Sequence, residues 1–349
     1  MKKLFAPVIR YGISKAKKSK FVQNLFESPF DLGKYPVFAE FTDSYGSIHK
    51  LHSGLRAKVR APWKNLNKGE EYNFSTANLK AIKEGSEITA GRFATTIQTY
   101  GKTVEGSTIL EVGCHSGGVS YAFAEGGAEL VVGTEFSGYK VESMEQDNVT
   151  DRPLQQVSEG LQTLRQKVAA YYRKTENVQL VEDNIADSQL PAGTFDIIFS
   201  CDVLEHIGEP ERAVKAMYRL LKQGGLMVHE YNPFFCLNGG HSLCTLDFLW
   251  GHARLNEGDF YRYIDTYRAE EESWAKSFYS KGLNRMTMAD LTAYMHKAGL
   301  GTHAVLPFTK EQHLRMVDND TLLQVKRLYP NASVADLVAP RVLVVAQKA

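Results

Sequence analysis

From about residue 76 onward, apolar residues fall into short closed runs separated by longer stretches of helical period. Thr108 to Val112 is one such run and stops at Gly113. Similar strand-like runs occupy Glu129 to Thr134, Val178 to Val181, Phe195 to Cys201 and Leu226 to Tyr231. Segments at about 76–100, 117–125, 138–148, 154–173 and 210–222 carry the helical pattern between them. Strands alternating with helices predict a doubly wound α/β sheet, mostly parallel and covered on both faces. Gly224 and Gly225 are expected to stop the helix after Lys222. The stretch Thr287-Met288-Ala289-Asp290 has the N-cap pattern of a helix running to about Lys297. Arg341 to Val345 is largely β-branched and suits a buried strand, expected to close the sheet antiparallel to the rest. No internal repeat appears, and no apolar run of roughly 18 residues that would span a bilayer.

Charge changes this picture. The chain of 349 residues has a net charge of only +1, which at first sight excludes a polyanion-directed protein. Residues 1–69, however, sum to +10, and the remainder to −9. Leu4, Phe5, Val8, Ile9 and Ile13 recur at helical spacing among the first cations, a pattern that fits an anionic membrane surface. Trp63 beside Lys64 and Lys68 would suit a phosphate-bearing ligand or nucleic acid. The plain alternative is a frayed terminus followed by a solvated basic face. Cys114, Cys201, Cys236 and Cys244 are too few for a disulfide framework, and residues 1–20 lack a secretory h-region, so the expected location is cytoplasmic, at most membrane-peripheral.

Candidate chemistry begins where the first strand of the α/β body turns. Glu111-Val112-Gly113-Cys114-His115-Ser116-Gly117-Gly118 opens a helix, and such glycines let the backbone approach a ligand. A dinucleotide loop and an S-adenosylmethionine (SAM) loop both want glycine at position 115, which is His here, so glycine counting leaves them open. The surroundings separate them. An imidazole at 115 would obstruct a pyrophosphate, and Glu111 would repel one; SAM carries no phosphate, and Glu111 can accept from its ammonium. Glu135 ends the second strand, where a carboxylate can bind ribose hydroxyls. Asp183 follows the third, placed to accept from an adenine amino group, with Asn184 beside it.

On these residues the sequence resembles the class I SAM-dependent methyltransferases. The motifs are Ile109-Leu110-Glu111-Val112-Gly113-Cys114, Val132-Gly133-Thr134-Glu135, the run from Phe195 to Ile207 that contains Cys201-Asp202-Val203-Leu204-Glu205-His206, and Leu220-Leu221-Lys222-Gln223-Gly224-Gly225-Leu226. The third is similar to the small-molecule branch that includes quinone-biosynthesis enzymes. The resemblance implies a Rossmann-like fold, SAM as cofactor, and a cofactor site formed by Glu111, Gly113, Cys114, His115, Gly117, Glu135, Asp183, Asn184 and Cys201. Two departures stand out: His115 replaces the middle glycine, and a helix at about 154–173 is added between Glu135 and Asp183.

The same resemblance places methyl transfer beyond the fourth and fifth strands of that body. Asp202 and His206 are the first catalytic candidates there, with His241 as an alternative base. Asn232-Pro233-Phe234-Phe235 imitates an amino-group methyltransferase motif but follows the wrong strand. Twelve aromatics fall in residues 231–283, about twice the chain-wide 11%, suggesting an acceptor pocket or lid, or else a satellite core. Cys236, His241, Cys244 and His252 lack the paired spacing of common zinc sites, so no metal is expected. The expected organisation is a basic extension (1–75), a SAM-binding core (76–232), an aromatic-rich insertion (233–285) and a C-terminal part of the core (286–349). The expected function is methylation, on oxygen, of a small or carrier-linked acceptor such as a saccharide or lipid-linked precursor. RNA methylation through residues 1–69 and a nonenzymatic SAM-binding or partner-binding module are the alternatives. The sequence leaves the oligomeric state open.

Overall fold

A computed structural model describes residues 30–60, 72–136 and 154–349. The expected basic amphipathic stretch at 1–20, Trp63 with Lys64 and Lys68, and the expected helix at 138–148 lie outside the described residues. No described helix is long and apolar enough to cross a membrane.

A hairpin, β1 (Val37–Thr42) and β2 (Ile48–His52), precedes the main body. Helix α1 (Thr76–Thr99) starts at Ser75, whose side chain accepts from the Asn78 N–H. Then follow β3 (Thr108–Val112), α2 (Gly118–Glu125), β4 (Leu130–Glu135), α3 (Leu154–Ala169), β5 (Val178–Glu182), β6 (Phe195–Cys201), α4 (Pro210–Leu220) and β7 (Leu221–Tyr231). Helices α5 (Glu257–Tyr267) and α6 (Met288–Ala298) lead to β8 (Leu300–Phe308) and β9 (Arg341–Lys348). The main sheet runs β5-β4-β3-β6-β7-β9-β8. Its first five strands are parallel, and β9 lies antiparallel between β7 and β8. This is the doubly wound, Rossmann-like sheet with an antiparallel closing strand.

The expected boundaries hold closely for β3, β6 and α6, whose Thr287–Asp290 capping box forms. One expectation fails. Helix α4 ends at Leu220, and Gly224 and Gly225 lie inside β7. The β6–β7 register shifts there, from Phe195 opposite Leu221 to Ile197 opposite Leu226, so the glycines serve an irregular strand entry rather than a helix stop. Strand β8 went unread because its exposed, half-polar face lacks the apolar run of a buried strand.

Apolar side chains form separate cores. One joins Leu110, Ile198 and Met227 to α4, α6 and β9. Another lies on the opposite sheet face, around Phe93, Phe123, Phe199 and Val228. The insertion aromatics build a further core with Phe41 and Leu51 of the hairpin and with Val325, Leu337 and Val338 from beyond β8. In this basic segment Lys34, Lys50 and Lys58 are exposed, whereas Arg56 reaches inward to Glu271 (2.6 Å) and to the carbonyls of Ser242 and Thr245.

Candidate active site

Three neighbouring strand ends build one side of the crevice. Strand β3 delivers Glu111 and turns at Gly113, at φ +74°. A Cβ there would lie 2.5 Å from Val203 Cγ2, and one at Gly117 (φ +75°) 2.6 Å from Leu180, so both positions require glycine. His115 adopts φ +43°, the left-handed conformation that glycine takes at little cost. The residue type departs from the pattern, but the backbone course is one a glycine would follow. Two bonds hold it: the His115 N–H donates to Glu135 Oε2 (2.6 Å), and Arg165 Nε donates to the His115 carbonyl (2.8 Å). Arg165 belongs to α3, so the added helix reaches the loop directly. No motif marked it.

Glu111 is buried and accepts from the Ser120 hydroxyl. Burial pushes its carboxyl up to about 8, against the opposing Ser120 bonds. Cys114 is buried beside it, and desolvation raises its thiol pKa. The Asp183 N–H donates to the Glu135 carbonyl (3.0 Å), tying the two strand ends together. Asp183 Oδ1 accepts weakly from the Gln189 N–H (3.3 Å), while Oδ2 is buried with no hydrogen-bond partner. A buried, unsatisfied carboxylate oxygen is a standing free-energy cost that a ligand donor removes. Asn184 Oδ1 accepts from the Ala186 N–H (3.1 Å) and is committed to the turn after β5. A glycine cradle, a capping carboxylate and an orphaned acceptor suit a ligand carrying hydroxyls, an ammonium and an amino-bearing ring.

The methyltransferase domain family model matches residues 110–229. Those residues include the cradle, Glu135, Asp183 and the end of β6, and stop two residues short of the end of β7. Residues 110–229 are a class I SAM-dependent methyltransferase domain. Its cofactor is SAM. A ubiquinone biosynthesis O-methyltransferase from Pseudomonas paraeruginosa is 32% identical over 120 residues, 34% of this chain and 42% of the relative. A chloroplastic 2-methyl-6-phytyl-1,4-hydroquinone methyltransferase from rice is 32% identical over 100 residues, 28% of each chain. The chain thus spans less than half the length of these curated relatives. A solved geranyl diphosphate C-methyltransferase from Streptomyces coelicolor covers 85% of the chain and 99% of its own at 12% identity and a TM-score of 0.45, a likeness too loose to bear on the reaction.

The other side of the methyltransferase crevice is assembled from distant segments. Asp202 follows β6 at φ +56°, with Oδ1 3.3 Å from an Arg341 nitrogen. Burial raises its carboxyl although Arg341 pulls the other way. Glu230, at the end of β7, receives both Arg92 from α1 and Arg341 from β9. Desolvation pushes the neighbouring Cys201 thiol up to about 12. Arg92, Glu230 and Arg341 went unread because three separate elements supply them, in no local pattern.

His206 Nδ1 donates to the Gly282 carbonyl (2.7 Å), and its ring centroid lies 5.0 Å from that of His241. Burial lowers the His206 pKa to about 4, and that of His241 falls well below the usual range through burial and the adjacent His206. Rings so reluctant to take a proton match poorly with the role of unaided general base at neutral pH. Glu205, buried beneath them, drew no attention in the sequence. Its Oε1 accepts from the Asn232 N–H (3.1 Å).

The spaced quartet at 236–252 does not assemble. Cys236 Sγ faces Asn232 and Asn238, Cys244 Sγ faces the Ala275 carbonyl (3.7 Å), and His252 Nε2 bonds the Phe234 carbonyl (2.7 Å). Phe234, Phe235, Phe248, Trp250 and Tyr263 pack on one another, and Trp250 Nε1 donates to the Leu337 carbonyl (3.1 Å). Near His206 the insertion contributes His241 and the Gly282 carbonyl.

Proposed function

We propose that this chain transfers a methyl group from SAM to an oxygen of a small or carrier-linked acceptor. The observation that carries the reading is the set of Glu111, Glu135 and Asp183 at adjacent strand ends, around a glycine cradle inside the matched domain. In this reading Glu135 exchanges the His115 N–H for ribose hydroxyls, Asp183 Oδ2 accepts from the adenine amino group, and Glu111 faces the ammonium. Gly113, Cys114, His115, Gly117, Asn184 and Cys201 complete the wall. SAM supplies the electrophilic methyl carbon. The chain aligns an acceptor oxygen with it and receives the proton that oxygen loses.

Asp202, His206 and His241 are the groups nearest that proton. Relatives named as O-methyltransferases support oxygen as the accepting atom. Hydroquinone-type phenols and saccharide or lipid-linked hydroxyls are the acceptors to compare. We keep 1–75 as extension, 76–232 and 286–349 as core, and 233–285 as an insertion bordering the acceptor. Contact with an anionic surface through residues 1–69 and a cytoplasmic location belong to the same proposal. Among described residues Arg56 is already spent on Glu271, which gives the RNA reading no support from that position.

Calorimetry with SAM, its demethylated product and NAD tests the cofactor, and binding of NAD alone overturns the reading. Incubation with labelled SAM and fractionated cell extract tests the acceptor. Label in small-molecule, lipid or glycan fractions is expected. Label confined to RNA selects that alternative, and tight SAM binding without transfer selects the nonenzymatic one.

A further inference from the structure

Beside the proposed methyl site lies one group of side chains in which Glu205 has no part in the SAM reading and His206 and His241 enter it only as candidate proton acceptors. Glu205, His206 and His241 each offer a ligand atom, and these atoms lie within 4.8 Å of one another; they are the one such His, Cys or carboxylate group among the described residues. Glu205 is 1% exposed, and its Oε2 has no hydrogen-bond partner. A buried carboxylate with an unsatisfied oxygen is expensive unless a donor or a cation meets it. The Nδ1 of His206 donates to the Gly282 carbonyl, which places the ring lone pair on Nε2. That carbonyl contact is the outer bond that commonly fixes a metal-binding imidazole. His241 is 2% exposed and sits at φ +51°, a strained backbone that turns its ring to within 5.0 Å of His206. Phe278 flanks both rings, with centroids 6.1 and 5.9 Å away, and supplies an apolar wall.

We propose that Glu205, His206 and His241 bind a divalent first-row transition ion, with zinc as the type case. Two imidazoles and one carboxylate are the donor set of open zinc sites, and side-chain adjustments of about an ångström bring the three atoms to bonding distance of ~2 Å. Three protein ligands leave a coordination position for an outside oxygen. The donors come from the β6 exit and from the insertion, so the ion would fasten the insertion to the sheet. Ion binding stands independently of the acceptor. Its consequence for catalysis rests on the proposed methyl transfer: an acceptor hydroxyl bound to the ion would have its pKa lowered and would release its proton to solvent as the oxygen takes the methyl group and SAM leaves as its demethylated product.

The test uses the full chain stripped with a chelator and titrated with Co2+, then with Zn2+ in competition. One equivalent of Co2+ should give visible d–d bands, which Zn2+ bleaches, and Zn2+ should raise the melting temperature. Glu205→Gln and His241→Gln should each weaken Co2+ binding by about 100-fold while SAM affinity, read by calorimetry, stays within a few-fold. Absence of both the bands and the melting shift in the unmodified chain overturns the site, whatever the variants do. Binding that survives both substitutions, or that is lost in Cys236→Ser instead, overturns it too. Methyl transfer that fails with every acceptor while the bands persist sinks the proposed function and leaves the ion site standing.

Discussion

The two halves of the crevice are made differently. On the cofactor half, Glu111, Glu135 and Asp183 end neighbouring parallel strands, each following its own apolar run. On the acceptor half, Asp202, Glu205, His206, Glu230, His241 and Arg341 come together from four segments, with Arg92 arriving from a fifth, α1. The first half inherits its geometry from the sheet, since parallel pairing fixes which residues stand side by side at the strand ends. The second depends on bonds between the insertion, the closing strand and the sheet. Chemistry shared across a superfamily can therefore sit on the first half, while acceptor choice varies with what is attached to the second.

The comparison breaks if the halves respond alike to substitution. Gly113→Val places a branched side chain against Val203 at a positive φ. It should weaken SAM binding by more than about 100-fold in calorimetry, on the order of 3 kcal/mol. Glu230→Ala leaves Arg92 and Arg341 facing each other. Because both arginines are about one-third to two-fifths exposed, solvent screens part of the loss, and urea unfolding should show about 2 kcal/mol of destabilisation with SAM affinity nearly unchanged. A large loss of SAM affinity there would show that the halves are not separable.

A subtler effect concerns protons. Glu111 has its folded pKa raised to about 8, so its protonated form is favoured in the ligand-free protein. That contribution is fully present below the ordinary carboxylate range and disappears as pH rises through about 8. Glu111→Gln should therefore melt higher than the parent at pH 8, by on the order of 2 kcal/mol, with little difference at pH 4. Equal gaps at both pH values would refute the assignment. The smallest expected change is Asp183→Asn, about tenfold in SAM affinity, because Oδ2 loses a charge-assisted bond to the ligand.

Legibility followed the same division. The strands β3, β6 and β9, the cradle glycines and the three strand-end carboxylates proposed for the cofactor stood out because period, turn chemistry and strand-end position are local properties. Arg165 did not, since nothing in α3 distinguishes a solvent-facing arginine from one that bonds the His115 carbonyl. Glu205 was quoted within its motif but passed over, because its burial depends on Asn232 and on the Asn284 N–H that bonds its own carbonyl. The insertion aromatics were equally compatible with a pocket and a core, and only their mutual packing distinguishes the two.

The position of β9 has a consequence for synthesis. The carboxylates proposed to hold the cofactor all precede residue 184, whereas Arg341 and the strand that fills the gap between β7 and β8 are translated long afterwards. A nascent chain can thus display the SAM cradle well before its acceptor side is complete. Ribosome-stalled chains ending just before residue 341 should already capture SAM while transferring nothing, so that binding is acquired during translation and turnover only once the closing strand is released.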